Sequence, residues 1–235
     1  VSCGSAQEEE PNVLLPTLHK LPANVLYIDI EVSKSAVYTY GQRVPGEFIN
    51  PDDLIHEQFM ICWAASYVGK SEVWSECLTP KEIKKYDDSK IVKRLHALMN
   101  DADVIAGHNI NKFDMKHCNT RFLKHHLTPI VNKKTIDTLL IARGKMKFFS
   151  NRLDFIEQWL GYSGKDDIRN EDWLKALKGD QKTLDKILKY NRGDVIQGKK
   201  VYQDLLPWAG KKPEFGSKTG IQMVDLKKPE GKSKV

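Results

Sequence analysis

The chain has 235 residues and a formal charge of +6, with a pI near 9.0. That length suits one domain of ordinary size and leaves no room for a second catalytic domain. Residues 211–235 hold seven lysines against Glu214, Asp225 and Glu230, a net of +4, residues 1–23 net −2, and the middle keeps +4. An excess of that kind fits phosphate binding but is also common on solvated surfaces, so composition leans only slightly toward nucleic acid and the motifs have to decide. No apolar run reaches the roughly 18 residues of a membrane span, and the first residues lack the basic-then-apolar order of a signal peptide. Cys3, Cys62, Cys77 and Cys118 form no C-x-x-C motif, so reduced thiols are expected, in a cytoplasmic setting or the host-cell cytoplasm if the chain is viral.

In chain order, residues 1–23 are polar, acidic and broken by Pro11, Pro16 and Pro22, and are expected to be loosely ordered. Val25 to Glu31 reads as a buried central strand ending in acidic residues. Phe59 to Tyr67, then Gly69-Lys70 and Glu72-Val73-Trp74, predict a β-hairpin. Ile91, Leu95 and Leu98 recur at helical spacing, Val104-Ile105-Ala106 is a short strand, and Lys112 to Leu123 predicts a helix after Gly107-His108-Asn109. Thr135-Ile136-Asp137 gives another strand, with Asp137 set to cap the following helix or to brace a site. The last helix, 181–205, aligns Leu184, Ile187, Leu188, Val195, Tyr202 and Leu205. The alternation is an α/β pattern for residues 24–210, followed by a basic tail, 211–235, that is expected to be loosely ordered and is open to nucleic acid or a protein partner.

Acidic residues stand where a core would reject them. Asp29 and Glu31 are two apart on a strand, so both project from one face while Ile28 and Ile30 project from the other. Two converging carboxylates suit hard divalent cations such as magnesium or manganese; a strand end reaching solvent is the plain alternative. Tyr190 and Asp194 are four apart on one helix and share a face. Asp114 follows the turn Gly107 to Phe113, where it also suits a helix N-terminus.

Together these segments resemble the D-x-E, N-x-x-x-F-D and Y-x-x-x-D motifs of the DEDD exonucleases, in the tyrosine branch. The histidine branch would need His where Lys189 stands. The resemblance covers roughly residues 24–208 and includes Phe149 to Asp154 and Leu205 to Trp208. It implies a ribonuclease H-like mixed sheet flanked by helices, and metal-dependent 3'-to-5' hydrolysis of nucleic-acid ends, single-stranded DNA favoured and RNA possible. It further implies two Mg or Mn ions held by Asp29, Glu31, Asp114 and Asp194, with Tyr190 orienting the attacking water. By the same resemblance Asn109 touches the terminal nucleotide and the backbone at Val32 grips its sugar, with Phe113, Phe149, Asn151 and Arg152 also assigned to substrate contact. Where the family often has Thr, this chain has Val32.

Arg143, Lys145, Lys147, Phe148, Phe149 and Arg152 interleave basic and aromatic residues, either as a single-strand tract or as a solvated loop anchored by its phenylalanines. His117, Cys118, His125 and His126 lack a second spaced pair for zinc. Gly69-Lys70-Ser71 and Gly231-Lys232-Ser233 lack the first glycine of a phosphate loop, with Ala64 and Leu226 in its place.

Overall fold

The computed structural model describes residues 23–39, 50–162 and 168–209. Apart from Ala23, both terminal segments for which loose order is expected lie outside these residues, and so does the second phosphate-loop echo at Gly231. Seven strands and seven α-helices are found among the described residues. The strands are β1 (Val25–Val32), β2 (Ala36–Val37), β3 (Leu54–His56), β4 (Met60–Tyr67), β5 (Trp74–Cys77), β6 (Val104–Gly107) and β7 (Lys134–Asp137). The helices are α1 (Pro80–Lys85), α2 (Ser89–Asp101), α3 (Asp114–Lys124), α4 (Thr138–Lys145), α5 (Leu153–Trp159), α6 (Asn170–Leu177) and α7 (Gln181–Leu205).

Five strands form one sheet in the order β5-β4-β1-β6-β7, with β1 central, and β2 pairs with β3 in a separate ribbon. β1 and β5 run antiparallel to β4, while β1, β6 and β7 run parallel, so the sheet is mixed as expected. Central placement explains the apolar run of β1, because a strand paired on both edges and covered on both faces meets little water. Leu26, Tyr27, Ile28 and Ile30 are all buried. Ile28 and Ile30 join Ile91, Val92 and Leu95 of α2 and Phe122 of α3 in the main core. The Trp63 indole donates to Ile91 O at 2.9 Å, fastening β4 to α2 on that side.

The other face of the sheet carries α7, whose observed bounds are those expected. Its buried positions 184, 187, 191, 194, 198, 201 and 205 advance by three and four residues, the stripe of an amphipathic helix. Asp180 caps it, accepting from Thr183 N at 2.8 Å. Gly198 leaves room for the Tyr27 ring: a Cβ there would lie 2.6 Å from Cζ. This close approach brings α7 down onto β1.

Two boundaries differ from expectation. The helix expected from Lys112 begins at Asp114, because Asn109 is left-handed (φ 64°) and the Lys112 and Phe113 N–H groups fold back on Asn109 O. The second hairpin strand begins at Trp74 rather than Glu72. Gly69 has φ +83° in the turn after β4, which accounts for that glycine without a phosphate. Cys62, Cys77 and Cys118 are free thiols. Among the described residues no helix is long and apolar enough to cross a membrane.

Candidate active site

β1 supplies the first two carboxylates. Asp29 and Glu31 leave the sheet on the face covered by α7, and both remain partly exposed. From α7, Asp194 faces back toward them. One ligand oxygen from each of Asp29, Glu31 and Asp194 lies within 4.8 Å of the others. Three carboxylates so close repel one another unless a cation or a proton neutralises part of the charge. Their donors are all hard oxygens, a set that fits a divalent metal centre.

Asp114 stands apart from this triad. It is 2% exposed, and its Oδ1 accepts from Ile30 N at 3.2 Å. The β1–β6 pairing ends at Tyr27/Ala106, so the Asp114 carboxylate satisfies a backbone donor that β6 no longer reaches. Burial is the main reason its pKa is pushed up to about 7, with the nearby Asp137 adding to the rise and two backbone hydrogen bonds opposing it.

Tyr190 lies one turn before Asp194. Burial first, then the charges of Asp194, Glu31 and Asp29, raise its phenol well above the ordinary value. At neutral pH it is therefore a hydrogen-bonding group and not a base.

Asn191 is a site residue that the motif reading passes over. It is fully buried, and its Nδ2 donates to Asp29 Oδ2 at 2.6 Å. The sequence signal was present: Asn191 falls in phase with Ile187 and Asp194 on the buried stripe of α7, where an amide needs a polar partner.

The turn after β6 is braced from β7. Asp137 caps α4 by accepting from Leu139 N at 3.0 Å, and it also accepts from Asn109 N at 2.9 Å and Asn111 N at 3.3 Å. The capping role expected from the sequence is thus filled, and the same carboxylate holds the turn that carries Asn109. His108 reaches Thr138 Oγ1 and Asn151 O, each at 2.9 Å, and links this turn to the segment before α5.

A cleft of about 520 Å³ opens over these groups. Its lining includes Asp29, Tyr190, Asp194, Asn109, Asn151 and Arg152, with Arg143 on its wall. Asn151 Oδ1 is buried and has no hydrogen-bond partner among the described residues. Arg152 is exposed and pairs with Asp154, Nη2 to Oδ2 at 2.8 Å.

Three other residues assigned to substrate contact are not among those lining the cleft. Val32 and Phe113 pack against the main core, and Phe113 meets the His117 ring edge-on at 4.6 Å. Phe149 is 98% exposed. The basic-aromatic run is therefore split, because Phe148 packs with Ile141 and Leu153 and meets Trp159 edge-on. Two of the histidines near α3 have protein partners: His117 meets Phe113, and His125 Nε2 bonds Asp88 Oδ1 at 2.6 Å, where Asp88 also pairs with buried Arg121.

Comparison with solved structures finds a similar fold in the family B DNA polymerase from the hyperthermophilic archaeon Pyrobaculum calidifontis, at 19% identity and a TM-score of 0.57. The match takes in 80% of this chain and 25% of that polymerase, and at this identity it speaks for the fold alone. A comparison with curated proteins returned no match. A family model described as RNase H superfamily matches residues 56–206. That span starts after β1, so the strand bearing Asp29 and Glu31 enters the site through its central place in the sheet rather than through the matched segment. With well over half of its length matched and a mixed sheet of the corresponding kind, the chain belongs to the RNase H superfamily.

Proposed function

We propose that this chain is a metal-dependent 3'-to-5' exonuclease that hydrolyses phosphodiester bonds at nucleic-acid ends, with single-stranded DNA as the favoured substrate. The observation that carries the reading is the convergence of Asp29, Glu31 and Asp194 within 4.8 Å, two of which, Asp29 and Asp194, line a cleft together with Tyr190. The order and context of the DEDD-like motifs support the exonuclease class, and the RNase H-like fold supports a nucleic-acid substrate.

Asp29, Glu31 and Asp194 would hold the metal, with Asp114, which accepts from Ile30 N of β1, assigned to a second ion by the motif resemblance. Two Mg or Mn ions so held would acidify a bound water and stabilise the charge that builds on the phosphate and the leaving 3' oxygen. The chain's own groups do the positioning. Asn191 fixes the Asp29 carboxylate through its 2.6 Å hydrogen bond. The protonated Tyr190 phenol orients a water by donating to it or accepting from it. Asn109 and Asn151, both on the lining of the cleft, offer polar contacts to a terminal nucleotide there. Arg143 and Arg152 supply positive charge along its wall, and exposed Phe149 offers a face for base stacking.

The test is release of mononucleotides from 3'-labelled and 5'-labelled single strands of DNA and RNA with magnesium, manganese or EDTA, beside the Asp29→Ala protein. Stepwise shortening from the 3' end that requires metal and Asp29 is the expected result. Faster turnover of RNA would move the assignment to an exoribonuclease with the same site. Absence of cleavage on both polymers with either metal would turn the reading toward a non-catalytic nucleic-acid-binding module.

A further inference from the structure

The sheet face that carries Asp29 and Glu31 also sets two thiols opposite each other. Cys62 on β4 and Cys77 on β5 are Cα partners in the antiparallel ladder. One step along, Leu78 N donates to Ile61 O at 2.9 Å, so Ile61/Leu78 is the hydrogen-bonded pair. Alternation then makes Cys62/Cys77 a non-hydrogen-bonded pair, the kind whose Cα atoms stand about 4.5 Å apart with side chains closest. A disulfide requires Cα separations of about 4.4–6.8 Å, so the backbone already meets the requirement. The thiols interact: burial first, and then a hydrogen bond with Cys77, push the Cys62 pKa well up.

The two sulfurs differ in access. Cys62 is buried and Cys77 half-buried, at the end of β5 on the edge of the sheet. Cys77 Sγ is also 3.8 Å from Leu184 O of α7. On its other side Cys62 is the Cα partner of Glu31, so Glu31, Cys62 and Cys77 form one row across three neighbouring strands. Cys118 is buried on α3, on the core side with Phe122, and serves as an internal control.

We propose that Cys62 and Cys77 form an oxidisable dithiol, which peroxide converts to a disulfide across β4 and β5 beside Glu31. Cys77 Sγ attacks one peroxide oxygen, the O–O bond breaks, and the departing hydroxide takes up the thiol proton as water, leaving a sulfenic acid on Cys77. Cys62 Sγ then attacks the Cys77 sulfur; the S–S bond forms, the S–O bond breaks, and hydroxide leaves with the Cys62 proton as a second water. Two electrons pass from the thiols to the peroxide. The product bridges the hairpin between residues 62 and 77 and ties the edge strand to its neighbour. Closing a loop of this length stabilises a chain by restricting its unfolded state, a melting-temperature rise on the order of 5 °C.

The experiment uses the full chain with Cys3→Ser, to remove linkage between molecules. The native protein is treated with hydrogen peroxide, the peroxide is quenched, and the chain is then unfolded, alkylated, digested and analysed by mass spectrometry, with and without dithiothreitol before alkylation. Expected are the loss of two hydrogen atoms, a peptide linked through Cys62 and Cys77, recovery of both thiols on reduction, an alkylatable Cys118 throughout and a higher melting temperature. A Cys77→Ser variant should form no internal disulfide. Two thiols that survive peroxide, a sulfinic acid on Cys77 with Cys62 still reduced, or a link to Cys118 would each overturn the proposal. None of these readouts depends on nuclease activity, so they stand or fall apart from the proposed function.

Discussion

Gly198 is the point at which α7 rests on β1, and replacing it tests whether that contact builds the site. An added Cβ would meet the Tyr27 hydroxyl and lie 2.6 Å from Cζ and 2.7 Å from Cε1. Tyr27 cannot swing clear: it is 1% exposed and its ring sits edge-on to Tyr202 at 6.4 Å. Overpacking of a closed core costs about 1–3 kcal/mol, and Ala in place of Gly in a helix interior returns up to about 1 kcal/mol. A net loss of about 1–2 kcal/mol corresponds to a melting temperature lower by about 5 °C for a chain of this size. Gly193 sits on the same helix, and a Cβ added there would meet nothing within 4 Å, so Gly193→Ala should raise the melting temperature by about 2 °C. Thermal unfolding of both variants in EDTA gives the comparison. Activity of Gly198→Ala should fall further than its stability, because displacing α7 moves Asp194 and Asn191 away from Asp29. The double substitution with Tyr27→Phe removes the hydroxyl contact and should recover part of the loss. A Gly198→Ala protein that melts at or above the wild type would refute the packing argument.

Other expectations concern the carboxylates directly. Asp29→Ala should reduce steady-state cleavage at least about a thousandfold, while Tyr190→Phe, which deletes one hydrogen bond, should cost about tenfold to a hundredfold; equal residual rates would defeat this ranking. Since burial first, and then the surrounding acids, hold the Tyr190 phenol protonated, no alkaline limb in the pH–rate profile should disappear in Tyr190→Phe. Asn191→Leu keeps the shape of the side chain but removes the donor to Asp29, and calorimetry without nucleic acid should show Mn²⁺ binding weakened about tenfold to a hundredfold; unchanged affinity would count against a positioning role. In EDTA, the Asp114 carboxyl with its folded pKa of about 7 favours the folded state fully below its unfolded value near about 4. That contribution is lost as pH rises through about 7, by about 4 kcal/mol in all. Asp114→Asn has no such titration, so urea unfolding from pH 4 to 8 should show the wild type losing stability relative to the variant, and parallel profiles would contradict the buried carboxyl.

Much of the site was legible before folding because it depends on local backbone geometry. Alternation along a strand puts Asp29 and Glu31 on one face, and the helical repeat puts Tyr190 and Asp194 on one face, whatever the rest of the chain does. The bounds of α7 followed from the same repeat, and the structure adds the cap at Asp180. Asn191 was readable in principle from its phase on the stripe, but its purpose depends on a partner 162 residues away.

What the tertiary structure alone decided is burial and cross-chain register. It placed Asp114 beside β1, buried, with Ile30 N as its donor and a raised pKa, where the sequence offered a motif carboxylate near a helix start with neither its burial nor its partner. It divided Phe148 from Phe149, burying part of one and exposing the other, although their spacing in the chain treats them alike. It also brought Cys62 opposite Cys77. The physical reason is the same in each case: periodicity fixes the direction of a side chain relative to its own element, whereas exposure, pairing and charge environment are set by which elements pack together and how closely.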